Sequence, residues 1–240
     1  MPDTDAAIVV PGRTARRFCG AAADELFPRT IEVALGTAGG INLADGPDLY
    51  CRRCGQSSGP HATTDAGCPA CLGRRPPWRR VVRLGAYRPP LSDWIVAMKF
   101  AGAWQWGPWL GRRLAEQVQA DEHPRVAVCA VPLHWRRRWQ RRYDQAQLIA
   151  AALADARGWP TVRLLRRVRH TQAQTRVAAS DRTRNIRGAF GRRRIDLTGW
   201  HVWLVDDVKT TGSTLTACAR LLRRSGAVSV SVAVAAVAER

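Results

Sequence analysis

From residue 80 onward the chain alternates short apolar runs with stretches whose apolar positions recur three and four residues apart. Val81–Tyr87 reads as a strand. Leu91–Phe100 reads as a helix with Trp94, Ile95 and Met98 on one face. Pro108–Val118 reads as a second helix, with Trp104, Trp106 and Trp109 around its start. Arg125–Val131 is a short apolar run of the kind found in parallel strands buried on both faces. Tyr143–Ala156 follows as an amphipathic helix carrying Leu148, Ile149, Ala152 and Leu153, and Val162–Leu165 as a short strand. Arg166–Asn185 is polar, basic and without apolar period, which predicts a long loop of the sort that serves as a lid. Asn185–Phe190 is expected to rejoin the sheet. His201–Val205 is a strand, and a helix from about Ser213 puts Leu215, Ala219 and Leu222 on one face. Val228–Val237 closes the sheet. This alternation predicts an α/β fold, a mostly parallel sheet with helices on both faces.

The chain before residue 80 reads differently. Residues 1–48 are weakly patterned, with one short helix over Ala21–Phe27 and loops at Gly36–Gly40 and Asp45–Pro47. Residues 49–75 have almost no apolar core but carry Cys51, Cys54, Cys68 and Cys71 in the spacing C-x₂-C-x₁₃-C-x₂-C. Each CxxC presents two thiolates, and two such knuckles close a tetrahedral Zn²⁺ site with no open position, a structural metal that supplies folding energy. Two disulfides or free thiols are the alternatives. His61, between the knuckles, reads as a loop histidine. Gly73–Pro77 is a stiff linker, so a zinc ribbon over 49–75 is expected to precede a domain over 76–240. Cys129 and Cys218 lie in apolar stretches and read as small buried hydrophobes.

The densest chemistry lies in His201–Leu215, HVWLVDDVKTTGSTL. An apolar strand leads to Asp206 and Asp207, then to Lys209, Thr210, Thr211, Gly212, Ser213 and Thr214, where a helix opens. A small, hydroxyl-rich loop at a helix start is built for phosphate. Glycine lets the backbone approach, the first N–H groups point at the anion, and the helix dipole favours negative charge. Two carboxylates repel that anion and need their own reason, which ribose hydroxyls or a bridging metal would supply. The plainer alternative is an acidic cap, with Asp207 or Thr210 capping the helix. No Walker loop occurs in the sequence.

Charge sharpens the picture. The 38 basic residues against 19 acidic give +19, and Lys99 and Lys209 are the only lysines, so the charge is nearly all arginine. Arginine pairs bidentately with phosphate, which points to nucleic acid unless the bias is compositional. The tryptophans near residue 106 fit a base-stacking platform or, more commonly, a packed core. The arginines of Pro132–Arg142 follow the end of a predicted central strand, where open α/β sheets place ligands, and fit pyrophosphate. No apolar span is long enough for a membrane helix, and Met1–Arg17 lacks a signal-peptide core. The cysteines are therefore expected in a reducing, cytoplasmic setting.

The order strand, Asp-Asp, then Thr-Thr-Gly-x-Thr resembles the 5-phosphoribosyl-1-pyrophosphate (PRPP) loop of type I phosphoribosyltransferases, with Lys209 standing where the family often has an apolar residue, either to pair with the 5′-phosphate or to extend into solvent. With the cysteine module, the chain over about residues 24–240 is similar to the ComF family of competence-associated proteins. That family's Val-Pro-Leu-His-arginine tract is seen at Val131–Arg138, and its Arg-Gly-Phe-Asn-Gln motif has a divergent counterpart at Arg141–Gln145. Its Thr-x-x-Gln, Arg-x-x-Asn and Ala-Phe tract matches Thr171, Gln174, Arg182, Asn185, Ala189 and Phe190. The lysine after its first helix matches Lys99. Glu32–Leu35 stands where the family usually has an earlier CxxC. Arg142 and Asp144 replace the usual glycine and asparagine.

The resemblance implies that Asp206 and Asp207 face ribose hydroxyls and Lys209–Thr214 wrap the 5′-phosphate. Arg136, Arg137, Arg138 and Lys99 are its candidates for pyrophosphate. It implies a phosphoribosyltransferase, a pentosyl glycosyltransferase, using PRPP with Mg²⁺ and associated with DNA uptake in transformation. A non-catalytic cytosolic factor that binds single-stranded DNA, with other uptake proteins as partners, is the rival expectation.

Overall fold

The computed structural model describes residues 46, 49–59, 62–64, 66–118, 123–133, 143–167, 189–193 and 195–239. The elements are β1 (Val81–Ala86), α1 (Leu91–Phe100), α2 (Trp106–Gln117), β2 (Val126–Ala130), α3 (Gln145–Arg157), β3 (Leu165–Arg167), β4 (Phe190–Arg192), β5 (His201–Lys209), α4 (Ser213–Arg224) and β6 (Ser229–Val237). The main sheet is parallel throughout, in the order β1-β6-β5-β2. Its strands are apolar runs because both faces are covered, as parallel sheets require. β6 is the last strand in sequence, yet it lies between β1 and β5 rather than at an edge. Its Val and Ala residues are buried from Val230 to Val237.

Helix packing follows from small residues. A Cβ on Gly111 of α2 would sit 2.4 Å from the Ile149 carbonyl oxygen of α3, and one on Gly107 would sit 2.7 Å from Leu148 Cβ. Glycine at these two positions lets α2 and α3 close directly against each other. α3 begins at Gln145, not Tyr143, because the Asp144 side chain caps it by accepting from the Gln147 N–H at 3.2 Å. The tryptophans resolve as packing. Trp94 stacks on Trp106 with ring centroids 4.6 Å apart, and Trp109 meets both edge-on. These three side chains join α1 to α2, which leaves Trp104 as the exposed member of the run.

Three strand expectations are corrected. β5 does not stop at Val205 but runs through both aspartates to Lys209, because β6 continues to pair with it. Thr161 bridges Val128 of β2 and the Val162 N–H donates to the Val128 carbonyl at 2.8 Å, but the strand itself lies later, at Leu165–Arg167. Phe190–Arg192 does not rejoin the main sheet but pairs antiparallel with β3. Arg166 and Arg167, assigned to the lid, are thus strand residues. The remainder of that lid, the Ala21–Phe27 helix, the loops at 36–40 and 45, His61 and residues 134–142 lie outside the described residues.

Candidate functional site

β2 ends opposite Val205, so beyond that point, among the described residues, β5 is paired on one side only. Asp206 and Asp207 therefore emerge at the carboxyl edge of the sheet, where α/β folds place ligands. The Asp206 Oδ1 accepts from the Asp207 N–H at 2.9 Å, and the Asp207 Oδ1 accepts from the Val208 N–H at 2.6 Å. The other Asp207 oxygen, Oδ2, lies 3.0 Å from Lys99 Nζ at the end of α1. Asp206 is different. Burial and the adjacent Asp207 charge push its carboxyl well above the ordinary range, against the opposing pull of Lys99. The pair thus divides into an ion-paired carboxylate and a carboxyl that favours its proton.

The loop after β5 turns at Gly212, whose φ of 77° is a left-handed conformation that glycine adopts without strain. Gly212 is also the N-cap of α4, so neither Asp207 nor Thr210 is the capping residue, and Thr211 Oγ1 accepts from the Ser213 N–H at 3.5 Å. The first-turn N–H groups of a helix have no partner within it and suit an anion. Thr211 Oγ1 and Ser213 Oγ lie 2.9 Å apart at this mouth, while Thr210 is exposed. Lys209 is buried and does not extend into solvent, and its Cε lies 3.2 Å from where a Cβ on Gly212 would stand. The structure thus gathers Asp206, Asp207, Lys99, Lys209 and the 210–214 loop at one end of the sheet. Arg136, Arg137 and Arg138 lie outside the described residues.

Two neighbours were not singled out as site residues. The Tyr143 hydroxyl donates to the Met98 carbonyl, one residue before Lys99. The Asp144 Oδ2 accepts from the Leu133 N–H at 3.1 Å while its other oxygen caps α3. An aspartate just ahead of an apolar helix is a capping signal in the sequence. The Tyr143 contact has no such signal.

The second cluster is the cysteine module. Cys51, Cys54, Cys68 and Cys71 present sulfurs all within 4.8 Å of one another. The individual separations are 3.9 Å for Cys51–Cys71, 3.6 Å for Cys54–Cys68 and 3.8 Å for Cys68–Cys71. Tetrahedral Zn²⁺ with Zn–S near 2.3 Å places its sulfurs about 3.8 Å apart, so the four residues fit such an ion. They are too far apart for disulfides, whose S–S length is about 2.0 Å. Burial alone would raise the Cys51 thiol, but backbone N–H groups of Cys54, Cys68 and Arg53 outweigh it and bring it down to about 7. Gly67, at φ 95°, turns the chain into the second knuckle, and a Cβ there would sit 2.8 Å from Cys71 Cβ. Cys129 and Cys218 are buried, and burial raises both thiols, Cys129 to about 12, as inert core cysteines require. Among the described residues no helix is long and apolar enough to cross a membrane.

Comparison with known proteins agrees with this geometry. A phosphoribosyl transferase domain model matches residues 145–240. The chain is 36% identical over 189 residues to the DNA utilization protein YhgH of Salmonella typhimurium, covering 76% of this chain and 81% of that one. It is 33% identical over 199 residues to the competence protein F of Haemophilus influenzae, covering 76% and 82%. A solved structure of the allosteric regulatory enzyme of purine biosynthesis aligns at TM-score 0.38 and 20% identity, over 55% of this chain and 26% of that one. That likeness adds nothing to the sheet already described.

Proposed function

The chain belongs to the ComF family, and from that premise we propose that Asp206–Thr214 binds PRPP and that the protein transfers its phosphoribosyl group. The observation that carries this reading is the order of parts at one sheet edge: strand end, acid pair, left-handed glycine, helix start. The Gly212 turn and the opening of α4 receive the 5′-phosphate, with Thr211, Ser213 and Thr214 as hydroxyl donors and Lys209 packed beside Gly212. Asp206 and Asp207 take the ribose hydroxyls. Paired carboxylates beside substrate phosphates also match the oxygen donors that Mg²⁺ takes, and that ion would neutralise the departing pyrophosphate. In the reaction a nucleophile's lone pair forms a bond to ribose C1 while the C1–O bond breaks and its electron pair leaves on pyrophosphate. The Asp207 carboxylate, joined by Asp206 once that residue has lost its proton, stabilises positive charge developing on the ribose. Lys99, already at Asp207, and Arg136–Arg138 are the cations for pyrophosphate. The four cysteines would hold a structural Zn²⁺, their sulfurs lying within 4.8 Å of one another.

Calorimetric titration with PRPP and Mg²⁺ tests this reading. The zinc-loaded protein is expected to bind, and the Asp206→Asn/Asp207→Asn double variant is expected to give no heat. Equal binding by both proteins, or none by the wild type, would overturn it. A second reading, single-stranded DNA binding in DNA uptake, is favoured by the net charge of +19 and by the relatives named for DNA utilization. It requires an affinity that falls steeply with salt, and a salt-insensitive or absent interaction would discard it.

A further inference from the structure

We infer that Trp78 and Gln56 are positioning residues that couple the four-cysteine centre to the phosphate loop, so that metal at one and anion at the other strengthen each other. This rests on the phosphate-loop reading above and goes beyond it. The coupling begins at Arg53, inside the first CxxC. Its guanidinium donates to the Ala66 carbonyl at 2.8 Å and to the Arg74 carbonyl at 2.7 Å, spanning both knuckles. Its own carbonyl accepts from the Trp78 indole N–H at 2.9 Å. Trp78 is buried in the main core, and its Cη2 lies 3.6 Å from where a Cβ on Gly212 would stand. One ring therefore touches the back of the phosphate turn and reports the position of the metal knuckle.

A second tie runs in parallel. The Gln56 side-chain amide, two residues after Cys54, donates to the Ala238 carbonyl at 2.9 Å. The Ala238 N–H donates to the Lys209 carbonyl at 2.9 Å. Lys209 in turn packs its Cε against Gly212. Both ties end on the same turn, where the anion's N–H donors are set by backbone geometry. Removing the metal frees the knuckles, so Arg53 and Gln56 lose their fixed positions and the turn loses its backing. Linkage then requires the reverse effect, tighter metal when the anion is bound.

The test is an equilibrium competition of the full-length protein against a colorimetric zinc chelator, with and without saturating PRPP and Mg²⁺. PRPP is expected to raise the apparent zinc affinity about fivefold or more, the lower end of measured couplings between sites. Trp78→Phe keeps an aromatic ring near Gly212 but removes the indole donor, and Gln56→Ala removes the second tie. Each variant is expected to bind zinc while the PRPP-dependent gain shrinks towards one. If Trp78→Phe does not fold, Gln56→Ala decides the matter by the same ratio. A wild type that binds no PRPP would overturn the phosphate-loop reading and this inference together. PRPP binding with an unchanged zinc affinity would overturn the coupling alone. A gain that persists in full in both variants would trace the linkage to global folding and remove Trp78 and Gln56 from it.

Discussion

Asp206 and Asp207 are adjacent in sequence but stand in different electrostatic surroundings. Asp207 has Lys99 at 3.0 Å, whereas Asp206 has burial and a like charge beside it. The folded protein therefore holds a proton on Asp206 at pH values where the unfolded chain, with an ordinary value of 3.8, has lost it. The folded state binds more protons in that window, so this residue's contribution to stability falls as pH rises above the ordinary Asp range. Asp206→Asn has no such charge to bury. Its melting temperature is expected to match the wild type near the ordinary Asp value and to exceed it by a few degrees at mildly alkaline pH, since 1 kcal/mol is worth about 2–4 °C in a chain of this size. Thermal melts across pH check this, and a variant less stable than wild type at alkaline pH would contradict it. The same substitution is expected to weaken PRPP binding, so stability and ligand affinity move in opposite directions. Residue identity alone pointed to these two acids. Their division into unlike partners came from Lys99, about a hundred residues away in the chain, and no local pattern announces that contact.

At the scale of elements, apolar periodicity located Leu91–Phe100 to the residue and β1, β2, α4 and β6 within a residue or two, because each buries a regular face. It ended β5 four residues early. Carboxylates look like turn chemistry in a sequence, and only the continued pairing with β6 keeps Asp206–Lys209 extended. Likewise β3 and β4 are three residues each, too short for any period to register. The turn at Gly212 was legible because glycine there answers to two demands, a left-handed φ and a close approach. Gly212→Ala violates both, with the new Cβ 3.2 Å from Lys209 Cε. A non-glycine residue held left-handed costs about 1–2 kcal/mol. Denaturant unfolding is expected to show that loss, and titration with ribose 5-phosphate is expected to show a weaker site. An unchanged affinity would mean that the turn does not hold the phosphate.

At the scale of the molecule, the sequence predicts a metal ribbon, a linker and a following domain, and residues 50–57 are hydrogen-bonded to β1 and Glu239. Arg83 on β1 is almost completely buried, and its guanidinium donates to the Gly55 carbonyl at 2.6 Å, Ser57 Oγ at 2.7 Å and Glu239 Oε1 at 2.9 Å, beneath the ring of Tyr50. Partners drawn from residues 50–57, 83 and 239 leave no trace in local pattern, which is why the tie was not legible. Burial opposes the Glu239 charge, but hydrogen bonds from Ser57 and Arg83 outweigh it and hold this carboxyl below its ordinary 4.5. Its contribution is therefore complete above that value and lost as pH falls through the lowered one. Because one buried cation joins the ribbon, the first strand and Glu239, heating is expected to release the metal only as the sheet melts. Heating while following zinc release and far-ultraviolet dichroism together should give coincident transitions. Arg83→Met takes the side-chain donor from the Gly55 carbonyl and leaves the half-exposed Glu239 to Ser57, at a cost of about 2 kcal/mol, or roughly 4–8 °C. In that variant zinc release is expected to precede sheet melting, since the ribbon would then be held only by weaker ties such as those of Trp78, Gln56 and the Arg52 carbonyl. Two separate transitions already present in the wild type would instead make the ribbon an independent module, and the buried arginine a local feature of β1.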